Sequence, residues 1–324
     1  MSFFFDVGIV NYNGGNSLVR CVRSLNAQKL EVRVWVYDNA STDGSILLLQ
    51  KEELPCRVIQ GKKNLGYAGA CNELMACFEA PFQALCNMDL EFSEDWSFNI
   101  LSCFERYPEY GAVASLVMER SGKVNALGVL LGKDLFAQNE ASGKDISCAD
   151  VREKDVFGCY GAVMAFRKMA AQKVGPMDAS FFLFFEESEW FIRFNLCGFK
   201  TILCPSAKVF HERSMVTVRY SPMKLYYSER NRLRSAIRLL PISLLLELPF
   251  RGFARYLKMA KGGVPTKSGD GKKLSKLCII EALAKAWFEA ALSFPREWKI
   301  RRAYAKRYQD VPQKITKLLN RYPL

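Results

Sequence analysis

Along its first hundred residues the chain alternates between strand-like and helix-like patterns of hydrophobic and polar positions. Residues 3–10 form a nearly continuous apolar run, which indicates a strand buried on both faces of a sheet. Leu18, Cys21, Val22 and Leu25 then recur at helical spacing. The same patterns predict further strands at 32–36, 56–60 and 82–86, and helices at 45–51 and 70–79. Strands and helices that follow each other in turn favour right-handed βαβ units and an α/β fold.

Polar side chains follow the ends of these predicted strands. They are Asn11, Asp38, Asn39, Asn87 and Asp89. Because ligands of open α/β sheets bind beyond the carboxyl ends of the strands, we expect one edge of the sheet to collect these acids and amides. Asn and Asp are also ordinary turn formers, which is the alternative for any single position. Their recurrence at successive strand ends favours a binding site.

The pattern becomes mixed beyond residue 111. Short strands are predicted at 112–118, 124–131 and 158–166, then a helix at 185–197 and a last strand at 200–204 that leads to His211. The Gly, Pro and Ser content of residues 261–271 predicts a mobile linker. A mixed sheet flanked by helices is therefore expected, followed by a separate C-terminal region.

Three glutamates, Glu186, Glu187 and Glu189, lie on the predicted helix 185–197 among aromatic residues that include Trp190. Carboxylates that are close together in apolar surroundings repel each other and lose hydration, so the pKa of at least one should rise towards the range of a general base. The alternative is a solvated acidic face in which Glu189 pairs with Arg193, four residues on. The aromatic surroundings favour a pocket.

A hard divalent cation suits the acids at the strand ends. Mg²⁺ or Mn²⁺ takes one or two protein carboxylates and completes its shell with water and substrate phosphates, so Asp89 could hold such an ion against a diphosphate. The glycine-rich residues 64–69 would let the backbone approach a nucleotide closely, although the chain has neither a Walker A loop nor a G-x-G-x-x-G motif. His211 is the only histidine, and it is either a structural residue or a metal or phosphate contact.

Composition excludes several classes of protein. The 324 residues are 50% hydrophobic and 24% charged, which is typical of a globular protein. The eleven cysteines are odd in number and form no Cys-x-x-Cys pair, so we expect reduced thiols rather than disulfides or zinc sites. The N-terminus lacks the basic region of a signal peptide, and the apolar run at 239–250 is too short to span a bilayer. These features predict a cytoplasmic protein.

Six segments in order resemble the motifs of family 2 glycosyltransferases, and most closely the rhamnosyltransferase-like bacterial branch. They are VGIVNYN at 7–13, YDNASTDGS at 37–45, NLGYAGACN at 64–72, CNMD at 86–89, FFEESEW at 184–190 and VFHERS at 209–214. The resemblance covers about residues 1–214. It implies a GT-A fold, which is a Rossmann-like mixed sheet flanked by helices, together with a nucleotide-sugar donor and inversion at the anomeric carbon.

The resemblance also implies roles for particular residues. Glu187 stands where the family has its catalytic base, usually Asp, with Glu186, Glu189 and Trp190 as candidates on the acceptor side. Asp89 would bind Mg²⁺ or Mn²⁺, and His211 stands where some members have a metal or phosphate contact. The residues expected to bind the donor are Asn11, Asp38, Asn39, Asn64, Gly66, Asn72 and Asn87. The residues themselves leave open whether Glu187, Glu186 or Glu189 is the base.

Net charge separates the chain into two parts. Residues 1–212 contain 21 basic and 26 acidic residues, a net of −5, whereas residues 213–324 contain 25 and 7, a net of +18. We therefore expect a glycosyltransferase domain at 1–214 and a basic, mainly helical region at 215–324. Basic helices with apolar faces suit the surface of an anionic membrane, here its inner face. The alternative is a helical extension packed on the body, as a dimer contact or an acceptor lid, and no recognised module supports nucleic-acid binding.

The leading hypothesis is a metal-dependent inverting glycosyltransferase that acts in bacterial cell-surface polysaccharide synthesis, including O-antigen. Its expected donor is dTDP-rhamnose or a UDP-hexose, and its expected acceptor is a hydroxyl of a glycan or lipid-linked glycan. The alternatives are a membrane-associated scaffold that keeps the fold without turnover and a sugar-nucleotide pyrophosphorylase. For the latter, the sequence lacks a glycine-rich, Arg-containing N-terminal loop. No pattern indicates an oligomeric state.

Overall fold

A computed structural model describes residues 4–212, 221–261 and 276–324. Its contacts divide the chain into two compact units. The first contains residues 1–130, 138–182 and 186–213, and the second contains residues 131–137, 183–185 and 214–324. The expected domain boundary at 214 and all but the first residue of the expected linker at 261–271 lie outside the described residues.

Twelve strands occur in the described residues. They are β1 (Phe5–Asn11), β2 (Arg33–Asp38), β3 (Arg57–Gln60), β4 (Phe82–Asn87), β5 (Leu90–Phe92), β6 (Ala112–Met118), β7 (Val124–Ala126), β8 (Val129–Leu131), β9 (Ala137–Asn139), β10 (Lys154–Val156), β11 (Val163–Arg167) and β12 (Thr201–His211). The large sheet has the order β10-β12-β6-β11-β4-β1-β2-β3, with β5 beside β12 and β7 beside β6. β8 and β9 form a separate two-stranded sheet.

The large sheet is mixed, as the sequence predicts. β1 to β4 pair in parallel, and β11 runs antiparallel between β4 and β6. β1 is buried along its whole length, which explains its continuous apolar run. The carboxyl ends of β1, β2 and β4 therefore meet at one edge.

Six α-helices occur in the described residues of the first unit. They are α1 (Gly15–Asn26), α2 (Ser45–Lys51), α3 (Gly66–Cys77), α4 (Trp96–Arg106), α5 (Lys168–Val174) and α6 (Glu186–Leu196). Trp96, at the start of α4, is fully buried between the rings of Phe5 and Phe92. This aromatic cluster fixes α4 against the sheet, because large apolar side chains contribute most of the burial energy of a core.

Several elements differ from the sequence prediction. α3 begins at Gly66 rather than at residue 70, and the strand expected at 158–166 is only Val163–Arg167. The strand expected to stop at 204 continues to His211, because Pro205 lies within an irregularity between Cys204 and Lys208. Proline lacks the N–H of a regular ladder and is tolerated at such a bulge.

The second unit contains five helices in the described residues, as expected for a basic helical region. They are α7 (Pro222–Leu239), α8 (Ile242–Lys261), α9 (Lys276–Leu292), α10 (Phe294–Arg307) and α11 (Val311–Arg321). Much of the charge of α7 is buried in ion pairs: Glu229 pairs with Arg232 at 2.6 Å, and Glu297 of α10 accepts from Arg234 at 2.8 Å and from Arg238. Such pairs hold the helices in one arrangement, because breaking one leaves a charge buried.

Candidate active site

The register of the parallel strands places the predicted polar residues side by side. Asn11 lies opposite Asp38 on the neighbouring strand, and Asn87 ends β4 beside Val10. The Asn11 side-chain amide donates to Asp38 Oδ1 at 2.8 Å and to Ser45 Oγ at 2.9 Å. The side-chain oxygen Oδ1 of Asn11 is buried without a hydrogen-bond partner, whereas its backbone carbonyl accepts from Asn39 N at 2.8 Å. The edge therefore holds an unused acceptor beside a fixed carboxylate.

Asp38 is buried and organises the turn that follows β2. Its Oδ1 accepts from the Ser41 hydroxyl at 2.6 Å, and its Oδ2 accepts from the Ser41 backbone N–H at 3.2 Å. Asn39 connects this turn to the glycine-rich segment: its Oδ1 accepts from Leu65 N at 2.7 Å and its Nδ2 donates to Gly66 O at 3.1 Å. These two residues thus position the backbone on which a nucleotide would rest.

Gly66 allows a close approach between two loops. Its φ is +72°, and a Cβ at this position would lie 2.1 Å from the carbonyl oxygen of Phe182. The same oxygen accepts from Tyr67 N at 2.7 Å, and Asn64 Oδ1 accepts from Gly66 N at 2.8 Å. Only glycine fits, because any side chain would meet backbone in a conformation that L-residues rarely adopt.

Asn72 and Asn87 stand in different surroundings. The Asn72 amide makes two hydrogen bonds of 2.9 Å with the backbone of Met177, so both of its polar atoms hold a loop. Asn87 is half-buried at the end of β4, and its backbone N–H donates to Ala162 O at 2.9 Å. The side chain of Asn87 is therefore the better placed of the two for direct contact with a ligand.

Asp89 and His211 face each other across the end of the sheet. Asp89 Oδ1 lies 3.3 Å from His211 Nε2, yet this buried oxygen has no hydrogen-bond partner. His211 Nδ1 lies 3.1 Å from the amide oxygen of Asn125, so in the neutral ring Nδ1 carries the proton and Nε2 presents a lone pair. An imidazole oriented by a hydrogen bond from its other nitrogen is the usual arrangement of a metal ligand. Both side chains fit a divalent cation.

The three predicted glutamates have separate environments. Glu186 is buried, its Oε2 has no hydrogen-bond partner, and burial together with the charge of Glu187 raises the pKa of its carboxyl well above the usual range. Glu189 is fully buried and accepts from Arg193 Nε at 2.9 and 3.0 Å. The Glu189–Arg193 pair considered above is present, but in the core rather than on a solvated face.

Of these three glutamates, Glu187 is the one with partial exposure. A Cβ on Gly161 would lie 3.0 Å from Glu187 Cγ, so the glycine backbone packs directly against its side chain. Ser188 Oγ donates to Glu187 Oε1 at 3.2 Å. Trp190, by contrast, is fully buried and donates to Gly175 O at 2.9 Å. A half-buried carboxylate can accept a proton from a bound hydroxyl.

The aromatic segment before α6 holds its backbone in an uncommon conformation. Phe182, Phe184 and Phe185 all have φ between +64° and +71°. Asn231 of α7 donates its side-chain amide to Leu183 O at 3.0 Å and Phe184 O at 2.8 Å. Left-handed conformations of bulky residues are costly and are found where surrounding contacts hold them, commonly near functional sites. They directly precede Glu186 and Glu187 in the chain.

Sequence reasoning missed Asn125, Gly161 and Asn231. Each lies far along the chain from the residue it supports, and Asn125 is separated from His211 by 86 positions. The sequence offers no signal for Asn125, which lies on a three-residue strand, whereas Gly161 stood within a predicted strand, where an isolated glycine indicates close backbone approach.

A second group of ligand-type atoms lies elsewhere in the first unit. Atoms of Cys103, Glu153 and Cys204 lie within 4.8 Å of one another. Glu153 already accepts from Arg106 at 2.6 Å and from the Tyr107 hydroxyl at 2.8 Å. Since a guanidinium occupies this carboxylate, the group is a poor place for a second positive charge.

Comparisons with known proteins add to this geometry. The family model described as Glycosyl transferase family 2 matches residues 6–175, more than half of the chain. A curated relative, N-acetylglucosaminyl-diphospho-decaprenol L-rhamnosyltransferase of Mycobacterium tuberculosis strain H37Rv, is 24% identical over 243 residues. The aligned region covers 68% of this chain and 79% of the relative.

Two solved structures resemble the fold. GalNAc-T7 with UDP, GalNAc and Mn²⁺ has a TM-score of 0.58 and 13% identity; the match covers 73% of this chain and 48% of GalNAc-T7, so this chain spans about half of that length. Staphylococcus aureus TarS 1–349 in complex with UDP-GlcNAc has a TM-score of 0.55 and 16% identity, covering 97% and 91% of the two chains. These similarities show a shared GT-A fold.

Proposed function

Because this chain belongs to glycosyl transferase family 2, we propose that it transfers a sugar from a nucleotide-diphosphate donor to a hydroxyl of a glycan or lipid-linked glycan, with inversion at the anomeric carbon. dTDP-rhamnose or a UDP-hexose is the proposed donor, and cell-surface polysaccharide synthesis, such as that of O-antigen, is the proposed setting. Two names support this choice: the curated relative is a rhamnosyltransferase named for an N-acetylglucosaminyl-diphospho-decaprenol substrate, and TarS 1–349 binds UDP-GlcNAc.

The observation that carries the proposal is the pair Asp89 and His211. Two acceptor atoms 3.3 Å apart, one of them a buried oxygen without a hydrogen bond, fit a shared cation. Asp89 and His211 would hold Mg²⁺ or Mn²⁺, and Mn²⁺ is the ion named with GalNAc-T7. When bound, the ion supplies positive charge that stabilises the departing nucleoside diphosphate.

Glu187 is the proposed catalytic base. Its carboxylate takes the proton from the acceptor hydroxyl as that oxygen forms a bond to the anomeric carbon. The bond between the anomeric carbon and the diphosphate oxygen breaks, and its electron pair leaves with the nucleoside diphosphate. Burial and the charge of Glu187 raise the pKa of Glu186, so Glu187 is the member of the pair that more readily carries the negative charge a base needs.

The donor would rest on the edge formed by the strand ends and the glycine-rich segment. Asn87 offers its half-buried side chain for direct contact, whereas Asp38, Asn39 and Asn72 act chiefly by fixing the backbone around it. Asn11 is fully buried and joins β1 to Asp38, with its Oδ1 as the one polar side-chain atom left for a ligand. Asn64 and Gly66 shape the turn that lets main chain approach the nucleotide. This division follows from which side chains already make hydrogen bonds within the protein.

We also propose peripheral contact with the inner face of an anionic membrane through the basic C-terminal region. Within the described ranges, no helix has the length and apolar character needed to cross a bilayer. The net charge of +18 over residues 213–324 favours an anionic lipid surface. A lipid-linked acceptor would be presented at that surface.

The test is release of nucleoside diphosphate by the purified full chain. dTDP-rhamnose, UDP-glucose and UDP-GlcNAc are supplied in turn with an N-acetylglucosaminyl-diphospho-lipid, with Mn²⁺ or with EDTA. We expect release with one donor that depends on both acceptor and Mn²⁺. No release and no nucleotide binding across the set would contradict the enzyme hypothesis and favour the scaffold. In a parallel assay with added pyrophosphate, formation of sugar-1-phosphate and nucleoside triphosphate from the donor would indicate a pyrophosphorylase.

Glu187→Gln tests the base within the same assay. General-base catalysis contributes about 10²–10⁴-fold, so we expect turnover to fall at least about 100-fold with donor affinity unchanged. Glu105→Gln, which changes an exposed glutamate of α4, is the matched control and should be normal. Near-normal turnover of Glu187→Gln would transfer the role to another residue.

A further inference from the structure

Helix α9 is oriented against the usual rule for amphipathic helices. Its buried positions are Ala282, Ala286 and Ala290, which recur every four residues in a helix packed on α7. A helix on the surface of a globular protein normally buries its large apolar residues and exposes polar ones. Here the buried residues are small, and Trp287 also faces inward, its Nε1 donating to Glu229 at 3.1 Å, whereas other large apolar residues of α9 are exposed and available for another contact.

The outward face of α9 carries Leu277, Ile280, Phe288 and Leu292, which are 60–76% exposed. Their spacings of three, eight and four residues place them on one side of the helix. We call these four residues the α9 stripe. Large apolar side chains grouped in this way mark an interaction surface, whereas single exposed ones need no explanation.

The segment that contains the α9 stripe has an excess of positive charge, most of it on α10 and α11. Residues 276–324 contain eleven Lys or Arg against four Asp or Glu, a net of +7. Two of those four acids are engaged inside the unit: Glu297 is buried with Arg234 and Arg238, and Glu289 accepts from the Tyr226 hydroxyl. The exposed charge of this part of the chain is therefore predominantly basic.

Helix α8 exposes large apolar residues as well. Leu246 and Phe250, one turn apart, are largely exposed, whereas Leu248 is buried. The second unit thus presents apolar side chains on two helices of a basic region. A protein partner that matched both features would need an apolar and strongly acidic surface, whereas an anionic bilayer supplies both at once.

We propose that the α9 stripe is the surface by which this protein docks on an anionic lipid bilayer, with α9 lying in the plane of the headgroups. This inference rests on the proposed function and specifies the surface of the membrane contact. Apolar side chains insert among the acyl chains while Lys and Arg contact the anionic headgroups.

The test is flotation of the full chain with vesicles of phosphatidylglycerol and phosphatidylethanolamine, against vesicles of phosphatidylcholine alone. We expect binding to the anionic vesicles and at least tenfold weaker binding of Phe288→Asp and, separately, Ile280→Asp. Phe98→Asp is the matched control, since Phe98 is a 55% exposed phenylalanine on α4 of the first unit. It should bind as the unchanged protein does.

Two results would overturn the proposal. One is equal vesicle binding by the unchanged protein and both α9 variants. The other is a dimer, measured by light scattering, that Phe288→Asp converts to monomer without loss of vesicle binding, because the stripe would then contact a second copy. Release of nucleoside diphosphate with a water-soluble acceptor is measured in parallel and should be normal in Phe288→Asp. If no protein releases nucleoside diphosphate, the proposed enzymatic function is contradicted, and the flotation result still tests the α9 stripe separately.

Discussion

Replacing Gly66 with alanine tests whether the glycine-rich segment requires a close approach to the loop before α6. Gly66 has φ +72°, and an added Cβ would lie 2.1 Å from Phe182 O. Real Cβ atoms essentially never come closer than 3.0 Å, so the backbone must move by at least 0.9 Å, the difference between the two distances. That movement would break the 2.7 Å hydrogen bond from Tyr67 N to the same oxygen.

The size of the effect follows from two terms. The left-handed conformation costs an alanine about 1–2 kcal/mol. Leaving the Tyr67 N–H without its partner costs about 1–3 kcal/mol more. Gly66→Ala should therefore lower the free energy of unfolding by roughly 2–5 kcal/mol. Because Asn39 also binds the Gly66 carbonyl, donor affinity should fall as well.

Gly44→Ala is the matched control. Gly44 has φ +77° but nothing within 4 Å of its Cβ position, so alanine there meets the backbone strain without the collision. We expect a loss of about 1–2 kcal/mol for Gly44→Ala, measured by urea unfolding of both variants under the same conditions. Losses that agree within about 0.5 kcal/mol would refute the close approach.

Three further predictions concern the same unit. Gly161→Ala places a Cβ 3.0 Å from Glu187 Cγ, so steady-state kinetics should show reduced kcat with donor affinity retained; unchanged kcat would separate Gly161 from the base. In the folded protein the pKa of Glu186 lies above 4.5, so the folded state keeps a proton that the unfolded state loses, and the free energy of unfolding falls as pH rises from 4.5 towards that pKa. Glu186→Gln should remove this pH dependence, measured by urea unfolding at several pH values. An unchanged dependence would contradict the prediction. Asp6 accepts from Arg33 at 2.5 and 2.9 Å. Burial raises the pKa of Asp6, but its hydrogen bonds outweigh burial and hold the pKa below 3.8. Asp6 therefore contributes stability above pH 3.8 that is lost as pH falls through the pKa of the folded state. Asp6→Asn should lower the free energy of unfolding by about 3 kcal/mol at pH 7 and should lack this loss of stability in acid. Equal free energies of unfolding for the two proteins would contradict the prediction.

Much of the first unit could be predicted because burial leaves a direct record in the sequence. The fully buried β1 appears as an apolar run, and α2 was predicted with the bounds Ser45–Lys51 that the structure has. The GT-A fold and the family, inferred from six motifs in order, are confirmed by the family match and the solved structures. Local pattern and motif order were sufficient for the architecture.

Other features depend on contacts between distant parts of the chain. Pro205 indicated the end of a strand, yet β12 continues past it because an irregularity in the pairing with β6 accommodates the proline. Glu189 and Trp190 were candidates for acceptor contact, but the structure buries both, the first with Arg193 and the second against Gly175 O. Sequence spacing alone does not distinguish a buried ion pair from an exposed one.

The roles of individual site residues stay predictions. The structure brings Asp89 and His211 together, and the sequence placed both at strand ends. The sequence alone could not show that Asn125 orients the imidazole, because a hydrogen bond between residues 86 positions apart leaves no periodic signal. The same holds for Asn231, whose amide holds the strained segment before Glu187.

Binding of Mn²⁺ tests the central claim most directly. Free Mn²⁺ is measured by electron paramagnetic resonance while the ion is titrated into the full chain with UDP or dTDP present. The account predicts one site per chain for the unchanged protein and at least tenfold weaker binding in Asp89→Asn, since the carboxylate supplies the negative charge of the pair. Titration curves that coincide for the two proteins would contradict it.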